Sequence, residues 1–232
     1  MEKTINGGEL GTIILRSHPR AQHYSLRVKD GQVIGTLPSW GNERDMRAFI
    51  EDKRERLTHM LQKNPERPVW NEATDLQTHT FRVHIFRVPR SHFYKTLKDG
   101  VLHMACPEET NFEDQRIQLL LQSLFEETLR HEAIRTLPPR LEALALRHSF
   151  HYAGVTVRKT QTRWGSCSSQ KQISLSLSLM LLPEHLMDYI LLHELCHTVE
   201  MNHGERFWQL MDSVTCGRSQ VLRQELKHHR ML

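Results

Sequence analysis

"HELCHTVEMNH", His193 to His203, places three histidines within eleven residues of chain. The stretch that runs into it, "DYILLHELC" (Asp188 to Cys196), is apolar almost all round and reads as a buried helix. His193 and His197 are four residues apart, so on a helix their rings project from one face. Burying two imidazoles costs free energy unless they find partners. Glu194 completes H-E-x-x-H, a pattern in which the two histidines bind zinc and the glutamate activates the metal-bound water. A zinc site that acts on a substrate keeps three protein ligands and one open position. His203 is the candidate third ligand. On a continuing helix it would stand about 15 Å beyond His193 along the axis, too far for one ion. The helix is therefore expected to end soon after Glu200 and the chain to fold back. Asn202, which tolerates the left-handed conformation, is the expected stop, with Gly204 adding slack. The expected site is one Zn²⁺ on His193, His197 and His203, with Glu194 as the base. The other thirteen of the sixteen histidines, His228 and His229 included, read as surface or core residues.

Working outward, "ISLSLSLML" (Ile173 to Leu181) alternates. It predicts a strand with Ile173, Leu175, Leu177 and Leu179 on its buried face and serines on the other. Pro183 opens the metal-bearing helix, a favoured first position. Upstream, "GVTVRK" (Gly154 to Lys159) is strand-like. A helix is expected from about Glu113 to Leu137, with Ile117, Leu120, Leu121, Leu124, Phe125 and Leu129 as its apolar stripe. Pro138 is expected to open a separate helix carrying Leu141, Leu144 and Leu146. Earlier still, "HTFRVHIFRV" (His79 to Val88) and "GVLHMAC" (Gly100 to Cys106) read as strands, followed by Pro107 and the acidic "EETNFED". Between residues 10 and 38, "GTIIL", "YSLRV" and "GQVIGTLP" read as three strands, with "KDG" (Lys29 to Gly31) a hairpin turn. Residues 42–63 predict a helix, with Met46, Phe49, Ile50, Leu57, Met60 and Leu61 at helical spacing. Asn64-Pro65 and Arg67-Pro68 are expected to end it. The fold class is thus α+β, with a β-rich N-terminal subdomain over 1–106 and a second domain over 107–232.

Composition narrows the function. With 38% hydrophobic and 25% charged residues, the chain reads as an ordinary globular protein. No apolar run approaches the roughly 20 residues that span a bilayer, so no membrane partner is expected. "MEKTINGGEL" lacks the basic and then apolar regions of a secretion signal, which predicts a cytoplasmic protein. Cys106, Cys167, Cys196 and Cys216 form no C-x-x-C pair and are expected as thiols, which argues against a zinc ribbon. Cys196, inside the metal helix, reads as a small buried hydrophobe rather than a nucleophile. A net charge of +4 permits a nucleic-acid partner, but Lys and Arg are scattered, and "EDKRERL" (Glu51 to Leu57) mixes signs.

The stretch from Arg163 to Trp208 joins an R-W-G-S-C segment, a strand, a proline, D-Y-apolar-HELCH, N-H and F-W. In this it resembles the YgjP-like metallopeptidase family, minimal zincins close to the SprT-like group. The likeness extends more weakly over most of the chain, where "SHPRAQHYSLRVKDGQVIGTLP" looks like the family's N-terminal β region. The resemblance implies a minimal zincin-like fold, zinc on His193, His197 and His203, Glu194 as catalytic base, and a peptide or protein substrate. The chain departs from the family at Gly204, where Ser is usual, and at Ser176, where Asn is common. In "TRWGSC", Arg163 is a candidate for lining the substrate cleft, Trp164 reads as core and Gly165 as serving a turn. Glu200 either orients a ligand through its carboxylate or is a solvated helix end. Two further functions stay open: a zinc hydrolase of a non-peptide substrate such as a nucleotide, and a nucleic-acid-associated, SprT-like protease. The lack of a phosphate-binding glycine loop counts against the nucleotide. A purely structural zinc site would need a fourth protein ligand.

Overall fold

The early apolar runs gather into one sheet. The chain is described by a computed structural model, which covers residues 2–29, 31–63, 69–160 and 162–231. Its contacts divide it into two units, Met1–Pro68 and Val69–Leu232. In the first, β1 (Glu2–Asn6), β2 (Thr12–Ser17), β3 (Ser25–Lys29) and β4 (Gln32–Leu37) lie in the order β1-β2-β4-β3. The expected hairpin joins β3 to β4 antiparallel, with Gly31 at φ 74°; Asp30 lies outside the described residues. Nothing in the sequence had announced β1, because Ile5 alone of its five residues is buried and no alternation results.

The helix expected over 42–63 is two helices, α1 (Glu43–Asp52) and α2 (Arg54–Lys63), parted at Lys53, whose ψ of 11° leaves the helical range. The Asn42 side chain caps α1 by accepting the Asp45 N–H. Met46, Ile50 and Leu57 share a core with Ile13, Leu15 and Val33, which is what the helical spacing encoded. The stops expected at Asn64-Pro65 and Arg67-Pro68 fall outside the described residues.

In the second unit, β5 (Arg82–Val88), β6 (Tyr94–Lys98) and β7 (Val101–Pro107) form a sheet in the order β5-β7-β6. Phe81, Val83, Ile85, Leu102 and Met104 share one core with Leu121, Phe125 and Leu129 of the long helix α3 (Gln115–Arg147). The division at Pro68 therefore differs from the boundary expected after residue 106. Pro107 and the acidic stretch after it mark only the loop between β7 and α3, across which the core is continuous.

Helix α3 runs 33 residues through Pro138 and Pro139 without the expected interruption. Each proline removes a helical N–H and crowds the preceding turn, yet the apolar stripe of Leu129, Ala133, Leu137, Leu141 and Leu144 keeps its spacing and stays buried throughout. Packing of that stripe holds the helix where propensity alone would break it. Leu146, expected with Leu141 and Leu144 in the helix after Pro138, is 73% exposed. Arg140 pins α3 to the metal-bearing helix α4 (Glu184–Cys196) by a bidentate bond to Asp188 and a third bond to Glu184. Arg140→Ala is expected to lower stability by about 2 kcal/mol, the size of a charge-assisted hydrogen-bond pair; an unchanged urea midpoint would show the network to be dispensable.

The third sheet holds β8 (Gly154–Arg158), β9 (Gly165–Cys167) and β10 (Gln172–Ser176) in the order β8-β10-β9. The strand expected through Leu181 stops at Ser176, whose hydroxyl accepts the Ser178 N–H and starts a 3₁₀ turn over Leu177–Leu181. Ser176 and Ser178 are consequently buried, against the expected solvent-facing serines. A topology repeats through the chain: β2-β4-β3, β5-β7-β6 and β8-β10-β9 each pair the first and third strands in parallel and the second and third antiparallel. In each, the second strand lies on an edge, so β9 is an edge strand. Two short helices, α5 (Glu205–Val214) and α6 (Ser219–Leu226), complete the unit. Among the described residues, no helix is long and apolar enough to cross a membrane.

Candidate metal centre

Helix α4 ends at Cys196, earlier than the sequence suggested. Its last turn tightens: the N–H groups of Thr198 and Val199 reach back three residues to Leu195 and Cys196, and the Thr198 hydroxyl also bonds the Leu195 carbonyl. Neither Asn202 nor Gly204 takes a positive φ. Instead Gly204, with extended backbone, occupies the N-cap position of α5. The turn is thus made by local hydrogen bonds over residues 197–200, and the expected left-handed stop at Asn202 does not occur.

The result of that turn is the predicted convergence. His193, His197 and His203 bring their Nε2 atoms together at 3.2 Å (193–197), 3.1 Å (197–203) and 3.0 Å (193–203). These three form the group of His, Cys, Asp or Glu side chains, among the described residues, able to hold a metal ion. Tetrahedral zinc with nitrogen at about 2.05 Å sets ligand atoms about 3.3 Å apart, so the spacing fits. The tautomer fits as well. His197 Nδ1 donates to the Glu200 carbonyl at 3.0 Å, which leaves the Nε2 lone pair turned towards the other two rings. Glu200 therefore acts through its backbone, neither as an orienting carboxylate nor as a bystander. Burial, reinforced by the neighbouring His197 and His203, pushes the His193 pKa down to about 3, keeping that ring neutral and able to ligate. Burial likewise lowers the pKa of His197, partly offset by its bond to Glu200.

Glu194 is buried, and its Oε2 meets no partner among the described residues. Burial alone pushes its carboxyl up to about 8. A buried carboxylate with an unsatisfied oxygen, next in sequence to a ligand in a cluster of lone pairs, is the environment a dication would relieve by pulling that pKa back down. The donor set, its spacing and this orphaned oxygen fit a single Zn²⁺.

Sequence reasoning noted Phe207 and Trp208 only as part of a resemblance, yet they build the floor of the site. Phe207, fully buried on α5, has its ring centroid 4.9, 4.6 and 4.7 Å from those of His193, His197 and His203. Trp208 stacks on His203 at 5.9 Å and 26°, and the Arg223 guanidinium sits over Trp208 at 4.9 Å. No spacing signal pointed to Phe207, because His203 lies before the extended Gly204 that caps α5. Of the other candidates, Trp164 is half-buried against the core as expected, and Arg163 is exposed just before the edge strand β9. Cys196 is fully buried, its thiol pushed up to about 12 by burial, as suits a hydrophobe.

The comparisons with known proteins bear on the same segment. A family model described as YgjP-like, metallopeptidase domain, matches residues 22–229. No curated protein matches the chain. Among solved structures, the metallopeptidase zymogen of Pyrococcus abyssi abylysin is similar at 22% identity, over 42% of this chain and 100% of that one, with a TM-score of 0.37; a likeness so loose carries no argument. With the site's three imidazoles and its glutamate inside a match that runs from residue 22 to residue 229, this chain belongs to the YgjP-like family of metallopeptidase domains.

Proposed function

We propose that the chain is a zinc-dependent metallopeptidase in which His193, His197 and His203 hold the ion and Glu194 is the general base. The observation that carries this reading is the meeting of three Nε2 atoms within 3.2 Å, together with the buried carboxylate next in sequence to His193, whose Oε2 has no partner among the described residues. When bound, Zn²⁺ supplies Lewis acidity to water and to the scissile carbonyl. Glu194 takes the proton from the attacking water and returns it to the departing amine. His197, fixed by the Glu200 carbonyl, keeps its Nε2 free of a proton. Arg163 would meet an extended substrate, a reading supported by its exposure just before the edge strand. We also place the protein in the cytoplasm, a reading supported by four unpaired cysteines.

The test is hydrolysis by the purified, zinc-loaded chain, offered a peptide library and a nucleotide panel side by side. Cleavage of amide bonds, abolished by a chelator and restored by zinc, is the expected result. Phosphate release from nucleotides with no peptide cleaved would overturn the peptidase reading.

A further inference from the structure

Gly165, in the middle of "TRWGSC", was expected to serve a turn. It lies instead in edge strand β9, with its φ outside the left-handed region. Any residue could adopt that backbone, so conformational freedom is not why glycine stands there. Space is. A Cβ built on Gly165 would lie 2.7 Å from both Cγ and Oε1 of Glu194 and 2.9 Å from Cδ. No ordinary carbon contact is so short.

We infer that Gly165 is a positioning residue for the base: its lack of a side chain lets the Glu194 side chain approach the backbone of β9 closely. Neither partner has room to yield. Gly165 is paired in register with Leu175 on β10, and Leu175 is fully buried. The Trp164 carbonyl is held by the Ser176 N–H at 2.8 Å. Retreat of β9 would break this ladder. Glu194 is 4% exposed and sits on a helix buried almost all round. Two of its three close atoms, Cγ and Cδ, lie inside the side chain, so a rotation of the terminal oxygens alone would not clear the clash. Cys167, two residues on, lies on the same face of the strand. The strand thus presents a small-residue wall to the base, open at position 165. A methyl group there displaces the carboxylate or strains the strand.

This inference rests on Glu194 being the base, and the experiment separates the two. In the zinc-loaded full-length chain, Gly165→Ala should retain one zinc and leave KM within about twofold, while kcat falls about 100-fold, the scale of an ångström of misplacement. Its Tm should fall by roughly 5 °C, as overpacking does. In a Glu194→Ala background, where the clashing atoms are gone, the same substitution should move Tm by no more than about 1 °C. Equal Tm losses in the two backgrounds, or native kcat in Gly165→Ala, would overturn the inference. If Gly165→Ala fails to fold alone but folds with Glu194→Ala, the coupling is shown in its strongest form; failure in both backgrounds places the cause elsewhere in β9 and counts against it. Full activity in Glu194→Gln would remove the base assignment while leaving the Tm coupling intact.

Discussion

Glu194→Gln is expected to keep one zinc per chain and to lose about 10³-fold in kcat, within the range that a general base contributes. Gln matches Glu in shape, so it fits the space against Gly165 and leaves the three imidazoles undisturbed. What it lacks is a site for the proton. The same variant has a second signature in metal-free protein. Burial raises the Glu194 pKa from 4.5 to about 8. Between those values the folded chain holds a proton that the unfolded chain has released, so stability falls as pH rises. His193 works the other way. Its pKa drops from 6.5 to about 3, so through that window stability falls as pH falls. The two slopes oppose each other between pH 4.5 and 6.5, and from 6.5 to 8 the glutamate acts alone. In chelator, the wild-type chain should therefore lose about 2 kcal/mol across that upper window, and Glu194→Gln should lose much less. Denaturant titrations at the two ends of the window measure it; identical slopes in both proteins would show that Glu194 is not held in a desolvated site.

The other large effect falls on metal affinity. Loss of an outer partner of a ligand typically weakens a metal site 10–100-fold, so removal of a ligand itself should exceed that. His203→Ala is expected to weaken zinc binding more than 100-fold in competition with a chromophoric chelator, and to take activity with it. His203 is the informative position because it is exposed and comes from beyond the helix. His193 lies within α4 and the buried His197 caps its end, so changing either perturbs packing as well. His228→Ala, near the terminus, should bind zinc as the wild type does. Unchanged affinity in His203→Ala would reduce the site to two histidines and leave the proposed chemistry without its platform.

Much of this site could be read from residue types and spacing. The i, i+4 relation of His193 and His197 and the helix end demanded by His203 follow from helix geometry alone. What stopped the helix could not be read, because the bonds of residues 197–200 depend on the turn already being formed. The sequence offered Asn202 by propensity, and a tighter local hydrogen-bond pattern came first. The same limit explains α3. Pro138 is a strong local signal, but the stripe from Leu129 to Leu144 belongs to a core shared with distant strand residues, Val83 and Leu102 of one sheet and Ile173 and Leu175 of another. It also explains residues 69–106, whose strands alternate as a β subdomain would and yet bury their inner faces against α3. Gly165 read as a turn glycine, and its place inside a strand, where glycine marks close approach, was not legible. What approaches it is a side chain 29 residues later (194 − 165 = 29), and spacing carries no trace of that.

The three ligands span only eleven residues, and the bond that fixes the His197 tautomer closes within four of them. An ion gripping such a short segment closes a small loop. The chain entropy removed by that closure is modest, since loop cost grows only slowly with length. Most of the binding energy is then free to act locally, on the opening of the α4–α5 turn. Zinc should accordingly slow amide hydrogen exchange from Leu195 through Phe207 by far more than it slows exchange in the β1–β4 sheet. The metal serves less as a rivet for the whole molecule than as a latch on one corner.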